Sequence, residues 1–589
     1  MTTENDLDRL FDILIVGGGA AGCVLASRLS ERGDKQILLL DAGPDPVAPG
    51  NEHPDIVDPF CLVASGNSAF RWPGLKANVG VGHRSESSAS TPYIQGYGVG
   101  GASNINGMGA DRGLPGDYDE WSLKGVSGWN WKDVLPYFKK LEHDLDFQEP
   151  RFAAIHGRDG PMPIRRVPRD QWGSFAAAVA EVANEKGFPF LIDYNAEFGD
   201  GVASVPTNCL PNRRVSAAMA YLSREVRQRP NLIIKPHTLV KRILFSQQRA
   251  TAALVRINGY DRIIKAKEII ICGGAIQTPA LLIRSGIGPK TQITELGVQL
   301  VRDSPGVGID LQNHPCITLN TYLPEHAFQL ADNPHFLQNW MRFSSHHEQC
   351  TPSDMHLMMF NKGAWHALGQ RVGSVTVTVL KPYSKGKVTV ESQDPGVSPR
   401  IDFNMLSDDR DEARLTNGLR FAFQLLAHPK VARMRHEIFM PDYRIVQSLS
   451  RPTRWNAFKA SIISSILDRT LARRLLLTKL LVDMPALLTN ERSMRAFVSK
   501  HTRPQFHPCG TCRMGAEHDT EAVVDGAGRL YGVSALRIAD ASIFPSIPRG
   551  YTHLITIMAA EKLSDEVKQT WQSKQSDLRI PSERRAQGS

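Results

Sequence analysis

No apolar run in these 589 residues reaches the roughly 18 needed to cross a bilayer as a helix, so a membrane-spanning chain is not expected. The opening stretch, Met1 to Leu10, also lacks the basic flank and apolar core of a secretory signal and carries acids in their place. Cysteine is sparse: of eight, only Cys509 and Cys512 form a C-x-x-C pair, and the rest are far apart. A disulfide framework suits short secreted chains, and zinc would need a second pair or histidines at ligand spacing. No metal site is therefore expected, and a reducing, cytoplasmic setting is. Internal repeats are absent, and a content of 42% apolar and 22% charged residues is far from the mix of disordered chains. The length suits several domains, or one large enzyme with interleaved halves. Lys and Arg number 69 against 60 Asp and Glu, a surplus of +9 that implies an anionic partner only where the charges cluster.

The first strong pattern is Phe11 to Val16, then Gly17-Gly-Gly19-Ala20-Ala21-Gly22, an apolar run to Leu29, and Gln36 to Leu40 followed by Asp41-Ala42. It reads as strand, glycine turn, helix and second strand, with an acid about twenty residues past the turn, which is the grammar of dinucleotide binding. Gly17 permits the tight turn, Gly19 lets main chain approach a pyrophosphate, and Gly22 lets the helix pack on the strand. The helix N-terminus turns its free N–H groups to the phosphates. Asp41 can accept from a ribose 2′-hydroxyl. This motif alone does not separate FAD from NAD.

A second glycine-dense run spans Gly96 to Gly113 and includes Val99, Asn106, Gly107, Met108 and Gly109. Its embedded apolar residues predict an ordered loop laid against a ligand. Ala217 to Leu222 reads as helix, and strands are predicted at Leu232–Ile234, Leu239–Phe245 with Val240, Ala252–Arg256 and Lys267–Ile271. Thr278-Pro279 is expected to open a helix to Arg284, with Pro279 at its first position. Val375–Val379 and Lys387–Val390 alternate with period two and read as strands with one core-facing side. Near the end come Leu536 to Ser542, with Asp540 and Ala541, a helical stretch from Ile555 to Lys568, and a polar tail beyond Gln572 that is expected to be disordered.

Together these segments resemble the glucose-methanol-choline oxidoreductases, a family of FAD enzymes that oxidise alcohols. Gly96 to Gly113 is similar to the family's first signature, and Gly274-Ala-Ile-Gln-Thr-Pro-Ala-Leu-Leu-Ile-Arg-Ser-Gly-Ile-Gly288 to its second. Asp117 to Phe138, Pro305 to Gly308 and His507-Pro-Cys-Gly-Thr-Cys-Arg-Met-Gly515 are also familial. Arg112 to Trp121, Gly160 to Ile164 and Asp193 to Gly201 are most like the bacterial hydroxymethylfurfural oxidases and relatives acting on aryl and allylic primary alcohols.

The resemblance implies an α/β fold. A Rossmann-like FAD-binding domain (1–160, 205–318, 500–575) would be interleaved with a substrate-binding domain on an antiparallel sheet (161–204, 319–499), with a tail at 576–589. It places Gly17, Gly19, Ala20, Ala21 and Gly22 at the pyrophosphate, Asp41 and Ala42 at the adenosine ribose, and Val240 at the adenine. Val99 and Asn106 to Gly109 would lie against the flavin, and Asp540 and Ala541 near the ribityl chain. Some members attach FAD through a histidine where Ile105 stands here, so the flavin is expected to be held non-covalently.

Alcohol oxidation needs a base for the O–H proton and an acceptor for the hydride, flavin N5. Histidine, with an ordinary pKa near 6.5, suits the first task. His507 matches the family's catalytic histidine. His553 matches the second position of the pair, where the relatives it most resembles carry Asn, so it bears on the substrate and not on the reaction class. His314 and His366 read as structural. Cys509 reads as a small apolar replacement beside a familial Cys512. The same scaffold also supports cyanohydrin lyases, photodecarboxylases and choline or aliphatic alcohol dehydrogenases. A binding protein with the fold retained and an NAD enzyme are further readings. The acceptor is oxygen or another oxidant.

Two thirds of the charge surplus falls between Arg451 and Val482, where seven basic residues face the single acid Asp468. Ile463, Leu467, Leu471 and Leu475 recur at i+4 there and predict a basic amphipathic helix. Two readings follow: a helix packed on its own domain with a solvated basic face, or one resting on an anionic membrane surface or an acidic acceptor near the substrate entrance.

Overall fold

The computed structural model describes residues 7–80, 90–329 and 333–579. Its first sheet runs Leu232–Lys235, Ile37–Leu40, Phe11–Val16, Tyr260–Ile271, Arg249–Ile257 and Thr238–Ser246, with Leu536–Ile538 beside Tyr260–Ile271. The strands around Phe11–Val16 are parallel, with Val16 opposite both Leu40 and Ile271. They are almost wholly apolar and buried: helix Ala20–Leu29 packs on them, and helix Thr552–Arg579 packs on that helix in turn. Tyr260–Ile271 is long enough to serve twice: its first half is the edge of an antiparallel meander, and its second half joins the parallel strands.

The second sheet is antiparallel, in the order Ile438–Phe439, Pro315–Tyr322, Val372–Val379, Met355–Phe360, Asn339–Phe343 and Gly201–Ser204. Alternation sets its two faces. Met341, Leu357, Met359, Val375 and Val377 pack with helices Ser174–Glu185 and Asp409–Ala427 in one core. Trp340, Met358 and Phe360 point the other way, to a smaller cluster containing Tyr551. The period-two reading of Val375–Val379 holds: its valines are core, and Thr378 on the opposite face accepts from Gln505 Nε2 at 3.1 Å.

Three expectations change. The helix predicted to open at Pro279 runs Gly274–Arg284, with Pro279 inside it. Proline has no N–H for the Ala275 carbonyl one turn back, and the Thr511 hydroxyl donates to that carbonyl instead, at 2.7 Å. The C-terminal helix spans Thr552–Arg579, so 573–579, expected to be disordered, are helical, while 580–589 lie outside the described residues. The predicted basic helix is broken at Asp468-Arg469 into Arg454–Leu467 and Thr470–Leu477. Leu467 is buried, but Leu471 and Leu475 face solvent and Arg473 takes the inner position. An ion pair from Arg473 to Glu437, 2.5 Å, makes that burial affordable.

Candidate active site

The glycine fingerprint folds as its residues require. Gly17 has φ +105°, and a Cβ there would stand 2.5 Å from the Cys272 carbonyl. Gly19 caps helix Ala20–Leu29, and a Cβ on it would meet nothing within 4 Å, so a ligand can come up to the main chain. Ala20 is half-buried and Ala21 buried behind it, and Gly22 lies too close to the Gly17 carbonyl to carry a side chain. The Asp41 carboxylate accepts from the N–H groups of Gly18 and Gly43, each at 2.8 Å. Burial pushes its pKa up to about 6 against those two bonds. The Ala42 carbonyl accepts from the Tyr97 hydroxyl at 2.9 Å.

The second glycine run lies on the first. Gly100 N–H donates to the Gly18 carbonyl at 2.7 Å, and a Cβ on Gly101 would come within 2.8 Å of Gly19 Cα. Val99 is buried with its N–H on Pro44. Buried Arg214 holds the following turn, donating to both the carbonyl and the Oδ1 of Asn106, each at 2.8 Å. Met108 takes a left-handed φ of 65°. Gly107 faces Leu337, and Gly109 is wedged between Tyr551 and Trp340, 3.2 and 3.4 Å from where its Cβ would be. Asp540 accepts from Gly274 N–H at 2.9 Å, the Thr278 hydroxyl at 2.6 Å and Ser542 N–H at 2.8 Å, tying the second signature to the C-terminal segment. Ala541 accepts from Gly510 N–H, and Val240 sits at a bulge in the meander, away from this cluster in sequence but on the same sheet.

His507 lies on a segment hydrogen-bonded to residues 312–314: Gln505 N–H donates to the His314 carbonyl, and Cys509 and Gln312 exchange both main-chain bonds. That ladder puts His314 Nδ1 at 3.0 Å from His507 Nδ1. Tyr551 stacks on His507 with ring centroids 4.3 Å apart, and its hydroxyl lies 3.1 Å from His356 Nδ1. His507 N–H donates to Asn313 Oδ1 at 2.9 Å, and Phe506 before it has φ +61°. Burial, and then His314 and His356, hold His507 well below the ordinary histidine pKa. Burial lowers His314 to about 4 against the carbonyls of Pro548 and Leu380. His553, in the first turn of the C-terminal helix, is lowered to about 4 by burial and then by Arg214. Its Nε2 is buried with no hydrogen-bond partner. The ring neighbours of His507 are thus His314 and Tyr551, whereas the charge acting on His553 is Arg214, the residue that braces Asn106.

Family models named GMC oxidoreductase match residues 11–316 and 382–560. The chain belongs to the GMC oxidoreductase family. It is 38% identical over 569 residues to 5-(hydroxymethyl)furfural oxidase of Methylovorus sp. (strain MP688), covering 95% of this chain and 99% of that one. It is 31% identical to an oxygen-dependent choline dehydrogenase of Paraburkholderia phytofirmans, covering 95% and 94%. The crystal structure of pyridoxine 4-oxidase from Mesorbium loti superposes with a TM-score of 0.78 at 26% identity, covering 95% of this chain and 99% of that one. The chain is accordingly an FAD-dependent oxidoreductase. The open space over Gly19 fits that cofactor as a bare main-chain cradle at the helix N-terminus.

Beside His507 stand His314, read from sequence as structural, and Tyr551 and Asn313, neither of which the sequence singled out; His356 and Trp340 lie against Tyr551. Asn313 and His314 sit in a short polar run with no spacing signal, and only the 312–314 ladder brings them to His507. Cys509 and Cys512 are free, fully buried thiols whose pKa burial pushes up, as expected of packing residues. Glu142, Asp144 and His156 could offer ligand atoms to a metal. However, His156 Nδ1 faces the first two carboxylates at 3.1 Å each, and Nε2 faces Asp193 at 2.7 Å. Burial alone would lower His156, but these three carboxylates raise it to about 10, which favours an imidazolium that donates to them from both nitrogens. Arg112 and Arg166 complete the charge balance.

Proposed function

We propose that the chain oxidises neutral primary alcohols of aryl or allylic type to aldehydes, with His507 taking the hydroxyl proton. Bound FAD, held non-covalently beside Ile105, supplies the hydride acceptor. The observation that carries the role of His507 is the tautomer its neighbour imposes. The Pro548 carbonyl, 3.2 Å from His314 Nε2, can only accept, so that nitrogen carries the hydrogen. Neutral His314 then has a bare Nδ1, which accepts from His507 Nδ1. His507 Nε2 is left as the acceptor, and its depressed pKa keeps it free at neutral pH. His553 Nε2 orients the alcohol oxygen. The residues assigned to FAD are Gly17, Gly19, Ala20, Ala21, Gly22, Asp41, Ala42, Val99, Asn106, Gly107, Met108, Gly109, Val240, Asp540 and Ala541. Two separate apolar cores support the division into a cofactor unit and a substrate unit.

For the substrate, Trp340, Tyr551 and the stacked pair Phe336 and Phe360, with centroids 4.4 Å apart, form an aromatic side against the Gly107–Gly109 turn. Against one acid, Asp117 on His314, the histidines feel three fixed cations: Lys381 on His314, Arg342 on His356 and Arg214 on His553. They oppose a quaternary ammonium and favour a neutral substrate over choline. The test is anaerobic mixing of the holoenzyme with aryl, allylic, aliphatic and choline alcohols while the flavin band is followed, and then admission of air. Bleaching by aryl or allylic alcohols is expected; bleaching by choline alone overturns the substrate assignment, and none by any alcohol overturns the reaction. Recovery of the band in air identifies oxygen as acceptor. We also propose a peripheral membrane contact through 451–482; among the described residues no helix is long and apolar enough to cross a membrane.

A further inference from the structure

The two helices that break the predicted basic segment are turned inside out. In Arg454–Leu467 the inward positions are Asn456, Ala460, Ser464 and Leu467. Trp455, Phe458, Ile462 and Ile466, spaced 3, 4 and 4 residues apart on the opposite face, are 61%, 55%, 45% and 42% exposed. In Thr470–Leu477 the inward residues are Arg473 and Leu477, while Leu471 and Leu475 are 86% and 77% exposed. A helix folded only against water places its large apolar residues the other way. Eleven of the twenty exposed large apolar side chains of the described residues lie between Ile445 and Leu488. Contiguous exposure of this kind marks an interaction surface.

The charges around this face decide what covers it. Arg473 and Arg474 both pair with Glu437, and the one acid of the segment, Asp468, is turned to Arg371 and the Tyr322 hydroxyl. Arg454, Lys459, Arg469 and Lys479 are exposed and have no carboxylate partner among the described residues; Lys459 lies over the Trp455 ring, 5.2 Å from its centroid. A second copy applying the same face would set these four cations against four more. An anionic lipid surface instead answers both features, apolar side chains entering the acyl boundary and cations meeting headgroups. Trp455 and Phe458, stacked at 5.7 Å, have the aromatic character that favours the headgroup level.

We infer that the outward face of residues 454–477 docks the protein on an anionic bilayer surface, with Trp455, Phe458, Leu471 and Leu475 inserted and Lys459 and Arg469 on the headgroups. This rests on the peripheral contact proposed above and adds the lipid class, the depth-setting residues and the orientation. Ser450, just before these helices, packs on Gly66, and Leu62 of the same short helix joins the cluster holding Met108, so the bilayer would lie on the side of the protein next to the flavin turn.

The experiment is co-sedimentation of the holoenzyme with vesicles of phosphatidylcholine alone or of equal parts phosphatidylcholine and phosphatidylserine, at low and high salt. Pelleting with the mixed vesicles at low salt is expected, with loss at high salt and little pelleting on phosphatidylcholine. K459E/R469E should weaken binding by about tenfold or more, as should W455S/F458S, with flavin content and alcohol turnover unchanged as the control for folding. Equal binding to both lipids overturns the anionic assignment but leaves a peripheral contact, whereas no binding to either removes both. Wild-type binding by both variants removes this face as the contact. Concentration-dependent dimers abolished by W455S/F458S would assign the face to a second copy instead.

Discussion

His314 Nδ1 and His507 Nδ1 face each other at 3.0 Å, nitrogen to nitrogen, so only one of them can carry the hydrogen between them. The Pro548 carbonyl behind His314 decides which. A proton arriving at His507 Nε2 has no onward path through His314, because the chain of bonds ends on a carbonyl. On the proposed role of His507 as base, His314 is the positioning residue that presents it and keeps its proton in place until product leaves.

Replacing His507 by Ala should slow anaerobic flavin reduction by roughly 10²- to 10⁴-fold, the usual contribution of a general base, with FAD content unchanged. Stopped-flow reduction measures this, and a loss under threefold would remove His507 as the base.

His314→Ala should lower kcat by roughly 10²-fold with KM little changed, since it disturbs the base and not the substrate contacts. It should also move the acid limb of kcat/KM to higher pH, because His314 is one of the groups depressing the His507 pKa. His314→Gln, whose amide can accept from His507 and donate to Pro548, should restore most of the rate. A structural role alone predicts no shift of the limb and no rescue.

The pair Pro279 and Thr511 makes a stability prediction. Thr511→Val strands the buried Ala275 carbonyl and should cost about 1–3 kcal/mol. Pro279→Ala in that background returns an N–H to the helix and should recover much of the loss in thermal or urea unfolding. Equal stability of single and double variants would show the carbonyl satisfied by another route.

His156, raised to about 10 among three carboxylates, stabilises the fold fully below its unfolded pKa near 6.5, and that stability is lost as pH rises through about 10. Wild-type unfolding free energy should fall across that window. His156→Gln should cost about 3–5 kcal/mol at neutral pH and flatten the alkaline decline. An unchanged slope in the variant would place the decline elsewhere.

Burial raises both Cys509 and Cys512, which disfavours the thiolate needed for redox exchange. Turnover and the count of free thiols should be the same before and after dithiothreitol, and a change in either would make the pair a switch.

The parts of this fold legible in sequence are those whose physics is local. Gly17, Gly19 and Gly22 take their places because turn, approach and packing are decided within a dozen residues, and Val375 to Val379 because alternation needs one sheet face. The illegible parts depend on distant partners. Pro279 could not be placed inside a helix without knowing that Thr511 would stand over Ala275. Arg473 could not be placed inward without Glu437, nor Leu471 outward. His314 gained its partner only when residues 312–314 paired with 505–509, and the Glu142, Asp144, His156 and Asp193 cluster draws on three separate stretches of chain.

The Thr511 hydroxyl over the Ala275 carbonyl also bears on the order of events during synthesis. A ribosome releases Pro279 long before Thr511, and the strand Leu536–Ile538 that finishes the first sheet later still. Until then the helix beginning at Gly274 carries a gap in its bonding and the sheet an open edge beside Ile269–Ile271. The nascent N-terminal half is thus incomplete by construction, and it must wait for nearly the whole polypeptide before its cofactor-side architecture can close.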